Sequence, residues 1–197
     1  MVPEHIIYST AFAIIIGMFF YKYTGRDPSW IIIICSWAPD IDIIMDRVLS
    51  SFGFTLLFEG HRIVHGDFHN IAVMVIFGIL MAFFLYPLGI KFFDGLFFSI
   101  IGFGAHLFED ALVWAHLYRF FWPLSSKAIG LGLLPTMINE EHYIRDFFGI
   151  ANFEVLIIGL VLLLIAILIR NYLEGRTWIR LYMPTAVYVK FFKNKMS

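Results

Sequence analysis

The chain has 197 residues, of which 60% are hydrophobic, 19% aromatic and 15% charged, with a mean hydropathy of +0.83 and a net charge of −1. Soluble domains average about 45–50% apolar and about 25% charged residues, so these values exclude an ordinary water-soluble globule and set the apolar surface against lipid. Near-neutral charge gives no electrostatic basis for binding nucleic acid, and Cys35, the single cysteine, excludes an intrachain disulfide or a cysteine-based zinc site.

The first apolar segment follows Met1-Val2-Pro3-Glu4-His5. It lacks a basic leader and a small-residue cleavage site, so it reads as a retained span rather than a signal peptide. Crossing a bilayer takes about 20 apolar residues. In chain order the predicted spans are 6–21, 29–45, 70–90, 95–118 and 149–169. The second is interrupted by Pro39-Asp40-Ile41-Asp42, and the fourth carries His106, Glu109, Asp110 and His116. The expectation is an all-α polytopic membrane bundle of about five spans, one domain over 1–197. Interfacial segments are expected at 50–58 and 119–138. Residues 177–197, with Trp178, Tyr182, Tyr188, Phe191 and Phe192 among basic side chains, read as a cytoplasmic tail anchored on the inner leaflet.

Five spans put the termini on opposite sides. Lys22, Arg26, Lys91, Arg170, Arg176, Arg180, Lys190, Lys193 and Lys195 fall on one side, against Arg47, Arg62, Arg119, Lys127 and Arg145 on the other. The excess of basic residues marks the cytoplasmic side, so the C-terminus is expected inside and the N-terminus outside the cell membrane. All seven histidines then gather on the outer side. At a helical rise of about 1.5 Å per residue, Asp40 and His106 lie about 18 Å from the inner ends of their spans, Glu154 about 22 Å and Asp110 about 24 Å. His5 and His69 begin their spans near the same layer. Imidazoles and carboxylates are the ligands of zinc and similar ions, and ionisable groups inside a membrane mark function by default.

His106 and Asp110 stand at i,i+4 on one helix face, where they can hold one metal or bridge two. An unpaired charge in that setting costs at least ~2.5 kcal/mol, which favours ligation over an incidental pair. Pro39 breaks its span, and irregular backbone at that depth needs protein or water around it. Asp40 and Asp42 can then diverge, one binding metal and the other orienting a ligand histidine. The stretch from Gly60 to Asn70 holds His61, His65 and His69, with Arg62 offering a fork suited to phosphate. His116 and a second His-x-x-x-Asp unit, His142 and Asp146, complete the metal candidates, with Glu140, Glu141 and Glu154 as candidate bases or extra ligands.

His5, Pro39-Asp40-Ile41-Asp42, Gly60-His61-Arg62 with a downstream histidine, His106-x-x-x-Asp110 and Trp122-Pro123-Leu124-Ser125 occur in that order. Over residues 1–125 this pattern resembles the inner-membrane metal-dependent hydrolases, the family of LexA-regulated hydrolases of bacteria and archaea. The resemblance implies a membrane-bound, metal-dependent hydrolase without naming its substrate. The chain departs from it where His61-Arg62 runs into Ile63-Val64-His65, so either His65 or His69 matches the family's next histidine. His116 replaces a usual glycine. The His/Asp spacing is also similar to the zinc phospholipase C and P1 nuclease signature, which implies a trinuclear zinc site completed by His5, Asp40 or Asp42, and His69 or His61.

Together these readings predict hydrolysis of a phosphoester of a lipid or lipid-linked substrate, with two or three divalent ions, zinc first among them. Arg62, with Arg119 or Arg145, would clamp the phosphate, and Asp42, Arg62 and Glu154 are the catalytic candidates. The alternatives are a proton- or metal-coupled transporter and a non-catalytic membrane subunit.

Overall fold

A computed structural model describes residues 2–133 and 153–182. Among them are α1 (Val2–Thr24), α2 (Trp30–Cys35), α3 (Ile41–Ser51), a two-residue hairpin of β1 (Leu57–Phe58) and β2 (His61–Arg62), α4 (Ile71–Leu85), α5 (Phe92–Val113) and α6 (Phe153–Glu174). A 3-10 turn over Gly175–Tyr182 follows α6. Four helices, α1, α4 extended to Leu88, α5 and α6, are long and apolar enough to cross a membrane. The protein is an all-α membrane bundle, as its composition predicts.

The predicted second span is two short helices. Ser36 to Asp40 form turns between α2 and α3, as the fixed φ and missing N–H of Pro39 require. The predicted fourth span closes early: α5 ends at Val113, so His116 lies beyond the helix and exposed. Residues 50–58 are divided between the end of α3 and the hairpin rather than forming one interfacial segment. The hairpin turns at Glu59 and Gly60, with φ of 50° and 84°. Glu59 holds this left-handed conformation while its carboxylate accepts from Arg119 Nη1 at 2.7 Å and Trp122 Nε1 at 2.6 Å.

Packing pairs α1 with α6, α4 with α5, and α2 with both α1 and α5. The α2–α5 approach depends on Gly102, where a Cβ would lie 2.6 Å from the Ile32 carbonyl oxygen. Ala13, Ile31, Ile32, Cys35, Leu85 and Phe98 form one core, and Ala38, Phe103, Leu107, Tyr118 and Phe120 a second. Helix ends leave backbone groups without intrahelical partners, and here neighbouring segments supply them. The Ile71 N–H donates to the Phe120 carbonyl at 2.9 Å. The Ala111 and Leu112 carbonyls accept from Leu131 and Leu133 at 2.6 and 2.7 Å. These bonds hold the chain between 118 and 133 across the ends of α4 and α5.

Trp178 and Tyr182 do not face the membrane surface as the tail reading expects. Trp178 is buried with Ile14 and Ala166, and Tyr182 packs against this group, because a buried arginine on α6 recruits both rings. The rest of the expected anchor, from 183 on, lies outside the described residues.

Candidate metal centre

Each local element has a reason to aim its side chain inward. His5 sits in the first turns of α1, and Asp40 holds the N-cap position of α3 without a side-chain capping bond, which leaves its carboxylate to face inward. The Asn70 side chain accepts from Val73 N at 2.9 Å and donates to the Asp67 carbonyl at 2.7 Å, capping α4. Asp67 in turn accepts from Val64 N at 2.9 Å. This turn fixes His69, immediately before the cap, toward the interior, where it is 0% exposed. Asp40 and His106 are also 0% exposed, and His5, Glu109 and Asp110 are buried.

The four innermost groups form a ring of alternating nitrogen and oxygen. Asp110 Oδ2 lies 3.2 Å from both His69 Nε2 and His106 Nε2. Asp40 Oδ1 lies 3.5 Å from His69 Nε2 and 3.7 Å from His106 Nε2. None of these atoms is aligned for a hydrogen bond. A tetrahedral ion with bonds of about 2.0–2.1 Å spaces its ligand atoms about 3.3–3.4 Å apart; these four contacts are on that scale, with Asp40 and Asp110 in different groups of mutually close ligand atoms.

The His106 tautomer sharpens this observation. Its Nδ1 lies 2.6 Å from the Ser36 carbonyl oxygen, which can only accept, so Nδ1 carries the proton. In a neutral ring the Nε2 lone pair then points toward two carboxylates, an arrangement that repels unless a cation sits between them. A backbone carbonyl on the far nitrogen of a metal-binding histidine is the usual way of fixing that tautomer. Near His69, which precedes α4, the same demand for positive charge is visible. Burial would lower its pKa, but Asp110, Asp40 and Asp42 together hold it well above the ordinary histidine value.

Three overlapping triads have ligand atoms within 4.8 Å of one another: His5, Asp40 and His106; Asp40, His65 and His69; and His69, His106 and Asp110. Asp42 stands behind them. Its Oδ1 lies 3.2 Å from His65 Nδ1, and its Oδ2 accepts from Gly66 N at 2.9 Å. Asp40 and Asp42 thus diverge, Asp40 toward His69 and His106 and Asp42 toward His65 and the Gly66 N–H. Eight of the ten buried side-chain N or O atoms without a hydrogen-bond partner among the described residues belong to His5, Asp40, His69, His106, Glu109 and Asp110. No Arg or Lys pairs with Asp40, Asp42, Glu109 or Asp110 among the described residues. Imidazoles and carboxylates gathered this way, without an arginine or lysine, could hold a divalent cation.

Seven predicted residues therefore meet: His5, Asp40, Asp42, His65, His69, His106 and Asp110. Others do not. His61 is exposed, its Nδ1 2.9 Å from the Arg62 carbonyl and 3.7 Å from Asp67 Oδ2. Arg62 is not aimed at the centre: its Nε donates to Asp46 Oδ1 at 2.5 Å, and its Nη2 contacts Ser50. A carboxylate one helix face away satisfies its guanidinium instead. His116 is exposed past the end of α5, and Glu154 is exposed at the first turn of α6, outside every triad. His142 and Asp146 lie outside the described residues, as do Glu140, Glu141 and Arg145.

Two residues at the centre had no assigned role. Glu109 Oε2 lies 3.0 Å from His5 Nδ1, and the His5 ring stacks on His106 with centroids 3.7 Å apart. A carboxylate beside Asp110 in an apolar helix was itself the sign of a role. Tyr118 places its hydroxyl 3.0 Å from His65 Nε2 and stacks on His69 at 4.2 Å. Nothing in its sequence context distinguishes it from the other tyrosines.

Fold and centre together define a polytopic membrane protein with an enclosed histidine–carboxylate cluster built from four separate chain segments. The chain belongs to the YdjM inner membrane protein family, whose model matches residues 1–183. No curated protein and no solved structure matches it.

Proposed function

We propose that the protein is a membrane-embedded, metal-dependent hydrolase acting on a phosphoester of a lipid or lipid-linked substrate near the outer membrane surface. The observation that carries the reading is the ring of unpaired His69, His106, Asp40 and Asp110 atoms, with the His106 tautomer fixed by Ser36. His69, His106 and Asp110 would hold one ion, zinc by ligand type, with Asp40 shared by the triads that include His5 and His65. His5 and His65 extend the set toward a second. A divalent ion held there supplies an acidified water and neutralises charge developing on the phosphoryl oxygens. Asp42 orients His65, and Glu109 orients His5. Tyr118 positions the His65 ring by its hydroxyl. With Arg62 turned to Asp46, the candidate clamp is Arg119, which holds Glu59 through Nη1 and lines a small cavity beside His65 and Tyr118 with the rest of its fork. The outward orientation follows from nine basic residues on one side against five on the other.

Metal analysis of the purified chain, alongside His106→Ala and Asp110→Ala, tests this. Wild type should carry zinc or a similar ion, both variants should lose it, and loss of metal should abolish phosphoester cleavage. Wild-type metal content in both variants would refute the centre. Metal transport into liposomes without any cleavage would replace the hydrolase with a transporter.

A further inference from the structure

An apolar groove of about 380 Å³ runs alongside the centre, lined by Ile71, Met74, Gly104, Leu107, Ala111 and Phe120 with the segment at 129–131. Its volume is within the ~300–1,000 Å³ range of ligand sites. Gly104, Leu107, Phe108 and Ala111 recur at helical spacing, giving α5 one apolar face. His106 and Asp110, each next in sequence to a groove residue, lie on the adjoining face. On α4, Ile71 follows His69 and Asn70 directly.

The groove is not isolated from the polar side. Leu117, Tyr118 and Arg119, with His65, Gly66 and Asp67, line a cavity of about 160 Å³. Phe120 and Phe121, the next two residues, line the groove. Five consecutive residues thus form a wall with an arginine, a tyrosine and the cluster's histidine on one side and an apolar trough on the other. A water-soluble ester has no use for such a trough. An amphiphile has use for both sides, since its anionic head meets the Arg119 donors not spent on Glu59 beside the Tyr118 hydroxyl, while its chain leaves along Phe120.

We infer that this groove holds one acyl chain of an anionic membrane lipid whose headgroup sits in the cavity beside His65, Tyr118 and Arg119. That this lipid is the substrate rests on the hydrolase assignment; occupation of the groove does not. Gly104 offers a way to block it without disturbing the fold. A Cβ there meets only Met74 Sδ, at an ordinary 3.4 Å, and a larger residue raises helix propensity. A leucine side chain would project into the groove.

The full chain is reconstituted in phosphatidylglycerol vesicles containing phosphatidic acid with a diazirine in one acyl chain, and adducts are mapped after illumination. Wild type should be labelled at groove residues such as Met74, Leu107 and Phe120. Gly104→Leu should cut those adducts about tenfold, the scale on which apolar pockets discriminate small changes in shape. Labelling of Leu80 and Phe83, exposed on α4, should be unchanged, and bound metal should stay at the wild-type level. Groove adducts that are absent, or that persist in Gly104→Leu, overturn the inference. Groove labelling in a chain that binds no metal would keep the lipid site and remove the hydrolase assignment, whereas metal binding without groove labelling would do the reverse.

Discussion

Among the described residues the protein buries charge in two places, and it treats them differently. About two and a half turns along α1 from His5, at ~1.5 Å per residue, the Ile14 carbonyl accepts from Arg170 Nη1 at 3.3 Å. Arg170 is 0% exposed. It donates to Asp27 Oδ2 at 2.6 Å, Glu174 Oε2 at 3.0 Å and Tyr182 Oη at 3.2 Å, and lies over the Trp178 ring at 5.0 Å. Asp27 also accepts from Ser29 N at 3.1 Å, and Arg26 pairs with Asp94 through two bonds of 2.9 and 3.1 Å. None of these residues has a buried side-chain atom left unpartnered. At the His5 end, by contrast, six residues leave eight atoms unpartnered. Burying polar groups is costly unless they are paired, so a satisfied network is explained by the fold alone. The other end leaves its hydrogen-bonding groups unmet, as the proposed metal site would. That contrast separates a structural charge cluster from a functional one, and it also speaks against an ion path through the bundle, because the far-end charges are locked to one another.

The largest effect should come from breaking the satisfied end. Asp27→Ala leaves the Arg170 guanidinium enclosed with its closest carboxylate gone. Unpairing a buried ion pair costs about 3–5 kcal/mol, so thermal unfolding in detergent should show a severe loss. The double replacement Asp27→Leu with Arg170→Met should recover most of that loss, since apolar replacement of a buried pair is often neutral. Metal bound per folded molecule should not change in either. Loss of metal at full stability would mean that the two ends are not separate devices.

The opposite signature is expected at the centre. Asp110→Asn keeps the shape and leaves Asp40 and Asp42 facing His69, so the metal-free protein should lose far less stability than Asp27→Ala does. Metal affinity should fall by more than the 10–100-fold that loss of a supporting residue costs. A chelator should therefore lower the unfolding temperature of wild type and leave that of Asp110→Asn unchanged, because binding to the folded state alone is what stabilises it. Equal shifts in both would place the stabilising ion elsewhere.

How much of this was legible in the sequence differs between the two ends. The layer of His5, Asp40, His69, His106 and Asp110 was legible because helical rise fixes height, and an ionisable group in an apolar span stands out. Rise does not fix azimuth, which is why Glu154, at a matching height, is exposed instead of joining the centre. The break at Pro39 was readable from proline chemistry, but the hairpin that follows rests on pairing of Glu59 with Arg119 and Trp122, some 60 residues later. Arg62 was misread for the same reason: its partner Asp46 is a turn of tertiary structure away. The Arg170 network stayed hidden because its members, Ile14, Asp27, Ser29 and Tyr182, look ordinary one at a time. Trp178 and Tyr182 read as an interfacial anchor until the buried guanidinium beneath them is known.

The smallest effect sharpens the comparison from the other direction. Histidine count alone would give His61 and His116 the same standing as His65 and His69. Their surroundings say otherwise: both are exposed, and neither enters a triad of ligand atoms. His61→Ala and His116→Ala should each bind as much metal as wild type, and surface changes of this kind usually alter stability by no more than ~0.5 kcal/mol. His65→Ala should weaken binding, because His65 shares a triad with Asp40 and His69. A titration with a coloured metal competitor orders the three variants directly. If His61→Ala or His116→Ala loses as much metal as His65→Ala, enclosure is not what selects the ligands, and the distinction between the two ends of the molecule loses its physical basis.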